Sequence, residues 1–197
     1  MTAQPLERPS LSQRLKQETT EQHERMHRLM AHGEPFASRE AYGRFVAAQY
    51  LFQRDVEHLF EDAAVRAAVP DLAARGRQEA SRADLQDLGA EVPGGTIATA
   101  GVAMPEALGW LYVSEGSTLG AAFLLKEAEA RLGLSAGFGA RNLAAYPDGR
   151  AVVWRRFVAS LDNTTQLGAA QHDAVVAGAD AAFNRFGDLL ARYFGEP

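Results

Sequence analysis

Two stretches of the sequence hold residues whose types and spacing suit chemistry. The first is His23-Glu24-Arg25-Met26-His27, which spells H-E-x-x-H. On a helix the two histidines fall one turn apart on one face, where they can share a tetrahedral metal while Glu24 serves as general base. Against a zinc hydrolase, the elongated form of the motif fails because Met30 stands where it needs glycine, and the surrounding TTEQHERMHR is polar. The second use of His23 is as an axial ligand to haem iron. Lys16 and Met30, each seven residues from His23, lie only about 20° around a helix from it, and Lys16 is about 10 Å along its axis. An ammonium at that reach can pair with a haem propionate. A third reading is plainer: a seam histidine held by structural hydrogen bonds.

The second stretch is Glu106–Arg131, EALGWLYVSEGSTLGAAFLLKEAEAR. Pro105 before it and Gly133 after it suit a helix start and stop, and the body is rich in Ala, Leu and Glu. Yet Gly109, Gly116 and Gly120 interrupt it, each costing about 1 kcal/mol relative to alanine in a helix interior. Gly116 and Gly120 are about 40° apart on one face, and Gly109, Tyr112 and Phe123 share that seam. A seam without side chains admits either a closely packed helix or a large flat ligand against bare backbone.

The elements that must position these residues are helical. Apolar spacing and capping residues predict a helix from Ser10 or Ser12 to about Ala31, a second from Ser38 to about Asp62, and a short one near Ala63–Val69. Asp71–Leu88 is a further amphipathic segment with Arg, Ala and Glu outside, and Gly89–Met104 is a loop. After the glycine-bearing helix and an irregular stretch come helices over Ala151–Leu161 and about Ala169–Phe194, the latter presenting Val175, Ala179, Phe183, Phe186, Leu190 and Phe194. No alternating strand pattern, internal repeat or long linker occurs, so an all-α single domain over 1–197 is expected, with 1–9 as a polar tail. The 197 residues carry a net charge of −5, which gives no basic footprint for nucleic acid, and no cysteine, which excludes thiolate metal sites and disulfides. No h-region or membrane-length apolar run is present, and a soluble cytoplasmic protein without membrane contact is expected. Only two of the 20 basic residues are lysine, Lys16 and Lys126, and they lie on the two expected helices that carry these stretches.

With those residues in view, the chain resembles the haem oxygenases, specifically the bacterial iron-acquisition branch. The resemblance rests on TTEQHERMHRLMAHGEPFAS around His23, FVAAQYLFQ around Gln49, GWLYVSEGSTLGAAFLLK around Gly116, FGARNLA, and the terminal AFNRFGDLL, in the family's order over about residues 12–194. It implies a helical fold with haem between a proximal helix carrying His23 and a distal helix kinked at Gly116–Gly120. Haem is then substrate and cofactor together, converted with O2 and electrons to biliverdin, CO and ferrous iron. An external electron donor of the ferredoxin- or flavin-reductase type is the implied partner.

The resemblance also assigns roles. His23 is the axial ligand, Gly116 and Gly120 the distal wall, and Lys16 the propionate anchor. Tyr112 and Phe183 line the pocket, and Gln49 organises water. The mammalian members carry aspartate after the first distal glycine where this chain has Ser117, which shifts the water-ordering role to Gln49. Members that cut haem at the α bridge usually carry the Lys16 and Tyr112 pair, whereas a rotated variant has Asn and Phe, so mainly α-biliverdin is expected. Two other classes stay open on sequence: a haem carrier that does not degrade its ligand, and the H-E-x-x-H zinc hydrolase.

Overall fold

The computed structural model describes residues 9–144, 146–164 and 167–196. Apart from Pro9, the expected N-terminal tail lies outside the described residues. Eight α-helices follow in order among them: α1 Leu11–Glu18, α2 Thr20–Gly33, α3 Arg39–His58, α4 Ala63–Ala68, α5 Gln78–Asp87, α6 Glu106–Leu132, α7 Arg150–Asp162 and α8 Ala169–Phe194. No strand occurs among the described residues, only isolated bridges from Ser135 to Phe138 and Gly139. None of the described helices is long and apolar enough to cross a membrane.

The capping residues do what their types predict. Ser10 accepts from the Gln13 N–H while the Gln13 side chain returns to the Ser10 N–H, a reciprocal box at the start of α1. Ser38 accepts from the Ala41 N–H at 3.0 Å and opens α3. At the far end of α6, Gly133 takes the left-handed conformation at φ 64°, and its N–H closes on the Ala128 and Glu129 carbonyls. The helical assignment of α6 runs through Gly116 and Gly120 without interruption.

Three local features differ from the sequence expectation. The first helix is not one element: it breaks at Thr19, whose backbone sits at φ −102°, ψ 11°. The Thr19 hydroxyl donates to the Leu15 carbonyl at 2.8 Å and the Thr20 hydroxyl to the Lys16 carbonyl at 2.9 Å, a back-bonding pattern that bends helices. Lys16 and His23 therefore belong to different helices. The segment 71–88 divides into a 3-10 turn, Leu72–Arg75, and α5, separated at Gly76. Here a carboxylate of α3 intervenes: Glu57 accepts from the Arg77 and Gln78 N–H groups, each at 2.5 Å, and so caps α5 from outside. Arg75 and Arg77, expected outside, are 2% and 8% exposed.

The core is organised by α8, which packs against α6, α3 and α2. Its contact with α6 is made by backbone. A Cβ added at Gly109 would lie 2.0 Å from the Val175 carbonyl oxygen and 2.3 Å from the Ala179 nitrogen. Reciprocally, a Cβ at Gly178 would lie 2.1 Å from the Glu106 carbonyl oxygen. Gly109 thus serves helix packing and not the ligand seam on which its spacing placed it. Further along α8, Gly187 meets α2 through side chains instead, with Arg25 and Met26 atoms at 2.7 and 3.0 Å from a built Cβ.

Overpacking usually costs about 1–3 kcal/mol, and a backbone neighbour cannot rotate away. Gly109→Ala and Gly178→Ala should each lose stability at the upper end of that range, about 3 kcal/mol, read as a lower urea midpoint at unchanged m-value.

Candidate functional site

The open face of α6 carries Tyr112, Gly116, Leu119, Gly120 and Phe123, which at helical spacing fall within about 100° of arc. Its glycines do not behave alike. A Cβ at Gly116 would meet the Trp154 ring at 3.7 Å, ordinary contact, while one at Gly120 would meet nothing within 4 Å. Leu119 and Phe123 beside them are 39% and 73% exposed, although both are large and apolar. A helix that leaves glycine bare and phenylalanine in water on one face has not buried that face against the described residues of its own chain. The Trp154 indole borders the strip, its ring 5.5 Å from that of the half-buried Tyr112, whose hydroxyl pKa burial raises.

Behind that face the helix is gripped by arginines. Arg77 Nη2 donates to the Ser114 carbonyl at 2.7 Å and to its hydroxyl at 3.0 Å. Arg150 Nη1 donates to the Thr118 carbonyl at 2.7 Å. These carbonyls, one turn apart, bracket Gly116 and receive charged donors beyond their helical bonds. The Ser117 hydroxyl turns back to the Ser114 carbonyl at 2.6 Å and so is engaged by its own helix. Glu115, 3% exposed, is paired with Arg75.

His23 lies on the exposed side of α2, its ring edge-on to that of His27 with centroids 4.6 Å apart. Partial desolvation, then His27, lowers its pKa below the ordinary imidazole value, against an opposing pull from Glu24. The neutral form, which ligates metals, is thereby favoured. No group of three His, Cys, Asp or Glu side chains able to hold a metal ion occurs among the described residues. Among the described residues, His23 and His27 have no third protein ligand of the kind that a catalytic zinc requires.

The two helices are joined through α8. Ala179 touches α6 at Gly109, Gly187 touches α2, and Phe183 stands midway on the same stripe, 8% exposed. Gln49 sits on α3, one turn before Gln53, whose Oε1 lies 3.4 Å from the Ser114 hydroxyl of α6. The Gln49 Oε1 is buried and accepts no hydrogen bond among the described residues, a group suited to holding water. Lys16 is exposed on α1, beyond the Thr19 break.

A flat, apolar ring with a metal centre and carboxylate edges fits these residues. Leu119, Phe123 and the bare Gly120 would supply its apolar bed, and His23, whose neutral form is favoured, would supply the metal ligand. Sequence reasoning missed Arg75, Arg77 and Glu115 as parts of the support of α6, and Trp154 as the ring that borders its open face. The signal available for Glu115 was a carboxylate on the inward side of an apolar helix, which demands a buried cation.

Comparison with known proteins gives one consistent result. Residues 9–192 match the family model described as Heme oxygenase. Over 185 residues the chain is 52% identical to Heme oxygenase PigA of Pseudomonas aeruginosa, covering 93% of this chain and 92% of that protein. Among solved structures, the NO- and CO-bound haem oxygenase from Neisseria meningitidis superposes with a TM-score of 0.86 at 36% identity, covering 96% of this chain and 94% of that one. The haem oxygenase from Leptospira interrogans matches at TM-score 0.78 and 18% identity, with 93% and 100% covered, and shares the fold.

Because nothing faces Gly120, an alanine there gains helix propensity without a clash. Haem-free Gly120→Ala should be more stable by up to about 1 kcal/mol in denaturant titration, opposite in sign to the same change at Gly109.

Proposed function

The chain belongs to the haem oxygenase family, and from that premise we propose how its own residues degrade haem and what they release. Haem is both substrate and prosthetic group, and O2 and a reductase complete the reaction. When bound, haem supplies the iron at which O2 is activated and the ring that is cut. In our reading the products are mainly α-biliverdin, CO and ferrous iron, and the enzyme serves iron release in the cytoplasm. Its electrons come from a ferredoxin- or flavin-reductase type donor. The observation that carries the site assignment is the bare, open Gly120 between exposed Leu119 and Phe123.

His23 would hold the haem iron through its imidazole, whose neutral form the lowered pKa favours. Gly116 and Gly120 form the distal wall and place no side-chain acid beside the iron. Proton delivery falls to water held by the Gln49 Oε1 and backbone groups. Phe183 lines the floor between the two helices. Lys16 and the Tyr112 hydroxyl take the propionates, which are the only charged handles on the ring. Their placement would set how the ring is rotated when bound and hence which isomer is released.

An absorption spectrum of the haem-loaded protein, taken before and after reductant is added in air, tests the whole reading. The haem bands should give way to a bilin spectrum. His23→Ala should lose the imidazole-ligated spectrum and at least about tenfold in turnover, whereas His27→Ala should keep both; the reverse result would move the ligand by one helical turn.

Chromatography of the bilin isomers checks the rotation. The α isomer should dominate in the parent protein. An exposed ion pair contributes up to about 1 kcal/mol, so Lys16→Ala should enrich the other isomers by up to about fivefold. Mainly β or δ product from the parent would assign the ring's rotation to other groups.

A further inference from the structure

Haem chemistry leaves one buried cluster unexplained. Glu115 directly precedes Gly116 on α6. Its Oε2 accepts from Arg75 Nη1 at 2.5 Å, and its Oε1 accepts from the Tyr146 hydroxyl at 3.0 Å. Arg75 is itself 2% exposed and holds the Asp71 carboxylate through Nε and Nη2 at 2.8 and 2.9 Å. The same Nη2 reaches the Val153 carbonyl at 3.4 Å, and the guanidinium lies 5.5 Å from the Phe157 ring centre. Burial opposes the Arg75 charge, yet the bonds to Asp71 and Glu115 outweigh it and hold its pKa above the ordinary value.

One guanidinium therefore grips the residue before Gly116 on α6 and the residue before Trp154 on α7. Those two neighbours face each other, since a Cβ at Gly116 would sit 3.7 Å from the indole. Trp154 also packs on Tyr112 at 5.5 Å. Burying two charges is a poor way to gain stability, because well-packed apolar residues do as well or better. What a fully bonded buried pair provides is a fixed register between the elements that carry it.

We propose that Arg75 and Glu115 are positioning residues that lock α6 against α7 and thereby set the gap between Gly116 and the Trp154 indole, a gap that selects how the tetrapyrrole is seated. The proposal rests on the Gly116–Gly120 face being the ring's wall. Trp154 then acts as a stop at one edge of the ring, and the pair determines where that stop stands. Neither charged side chain needs to touch haem for the seating to depend on it.

The test is Arg75→Met combined with Glu115→Leu in the full chain, so that neither charge is left buried alone. Asp71, with 35% of its side chain exposed, stays hydrated without Arg75. Two readouts are taken: Trp154 emission of haem-free protein in a Trp110→Phe background, and the bilin isomer ratio of the haem-loaded enzyme. We expect cooperative melting, a red shift of the Trp154 emission by several nanometres, and severalfold enrichment of minor isomers. Glu115→Gln keeps an acceptor for Arg75 and should restore both readouts towards the parent values.

Parent emission and parent isomer ratio in the double variant would overturn the proposal. So would an equal isomer change in Arg141→Met, which breaks the ion pair to Asp84 on α5 and serves as a control for lost stability. Should the double variant fail to fold, Arg75→Lys carries the test, because an ammonium cannot reproduce the planar fork that spans Glu115, Asp71 and Val153. The same shifts are expected there, and their absence counts against the pair. Haem must also quench Trp154 in the parent background. Absent quenching overturns the reading of the face together with the proposal, whereas quenching with unchanged isomers overturns the proposal alone.

Discussion

The backbone contact of α6 with α8 at Gly109 and Gly178 is the constraint on which the rest of the structure depends. Carbonyl oxygens of each helix occupy the space a Cβ would fill on the other. Two long helices are thus held at a separation that no side chain can adjust. Because α8 continues for two further turns to Gly187, where it receives α2, the same rod carries both helices of the proposed site. The helix of His23 and the helix of Gly120 are each referenced to α8, and their spacing follows from a single element.

Glycine serves opposite purposes within one helix. At Gly109 it permits contact with protein, and at Gly120 it leaves contact open. Between them Gly116 rests against an indole at ordinary distance. The propensity lost at each position is similar, on the order of 1 kcal/mol, so energetics within the helix do not separate these roles. What separates them is the neighbour. Arg77 and Arg150 bonded to the Ser114 and Thr118 carbonyls reinforce the segment where helix propensity is weakest.

Much of this was legible in the sequence. Apolar periodicity found α7 within one residue at each end and α8 at both ends, because long helices repeat the signal several times. The glycine seam, His23 and Phe183 were singled out in the sequence, and the family to which the chain belongs was recognised from the segments around them. What the sequence hid has physical causes. Gly109 lies on the same seam as Gly116 at helical spacing, and only the position of α8 distinguishes a packed glycine from an open one. The break at Thr19 comes from hydroxyls bonding back to Leu15 and Lys16, which threonines do in some helices and not in others. Arg75 and Arg77 sit in an arginine- and alanine-rich stretch that reads as solvent-facing. Their partners Glu115 and Ser114 are about forty residues away, and no local pattern reports that pairing.

On the proposed assignment, the Thr19 break would divide the chain's hold on its ligand between two mechanical units. α1 is tied to the C-terminal half, with Ser12 bonded to Asp162 and Arg14 to Asp173, while α2 is seated on the far end of α8. On the proposed assignment α1 grips the carboxylates and α2 grips the iron. Opening the ring and losing the metal abolishes the second grip and leaves the first intact. A product still tethered by its acidic tails, on a segment jointed independently of the histidine helix, would leave stepwise: iron first, then the linear pigment.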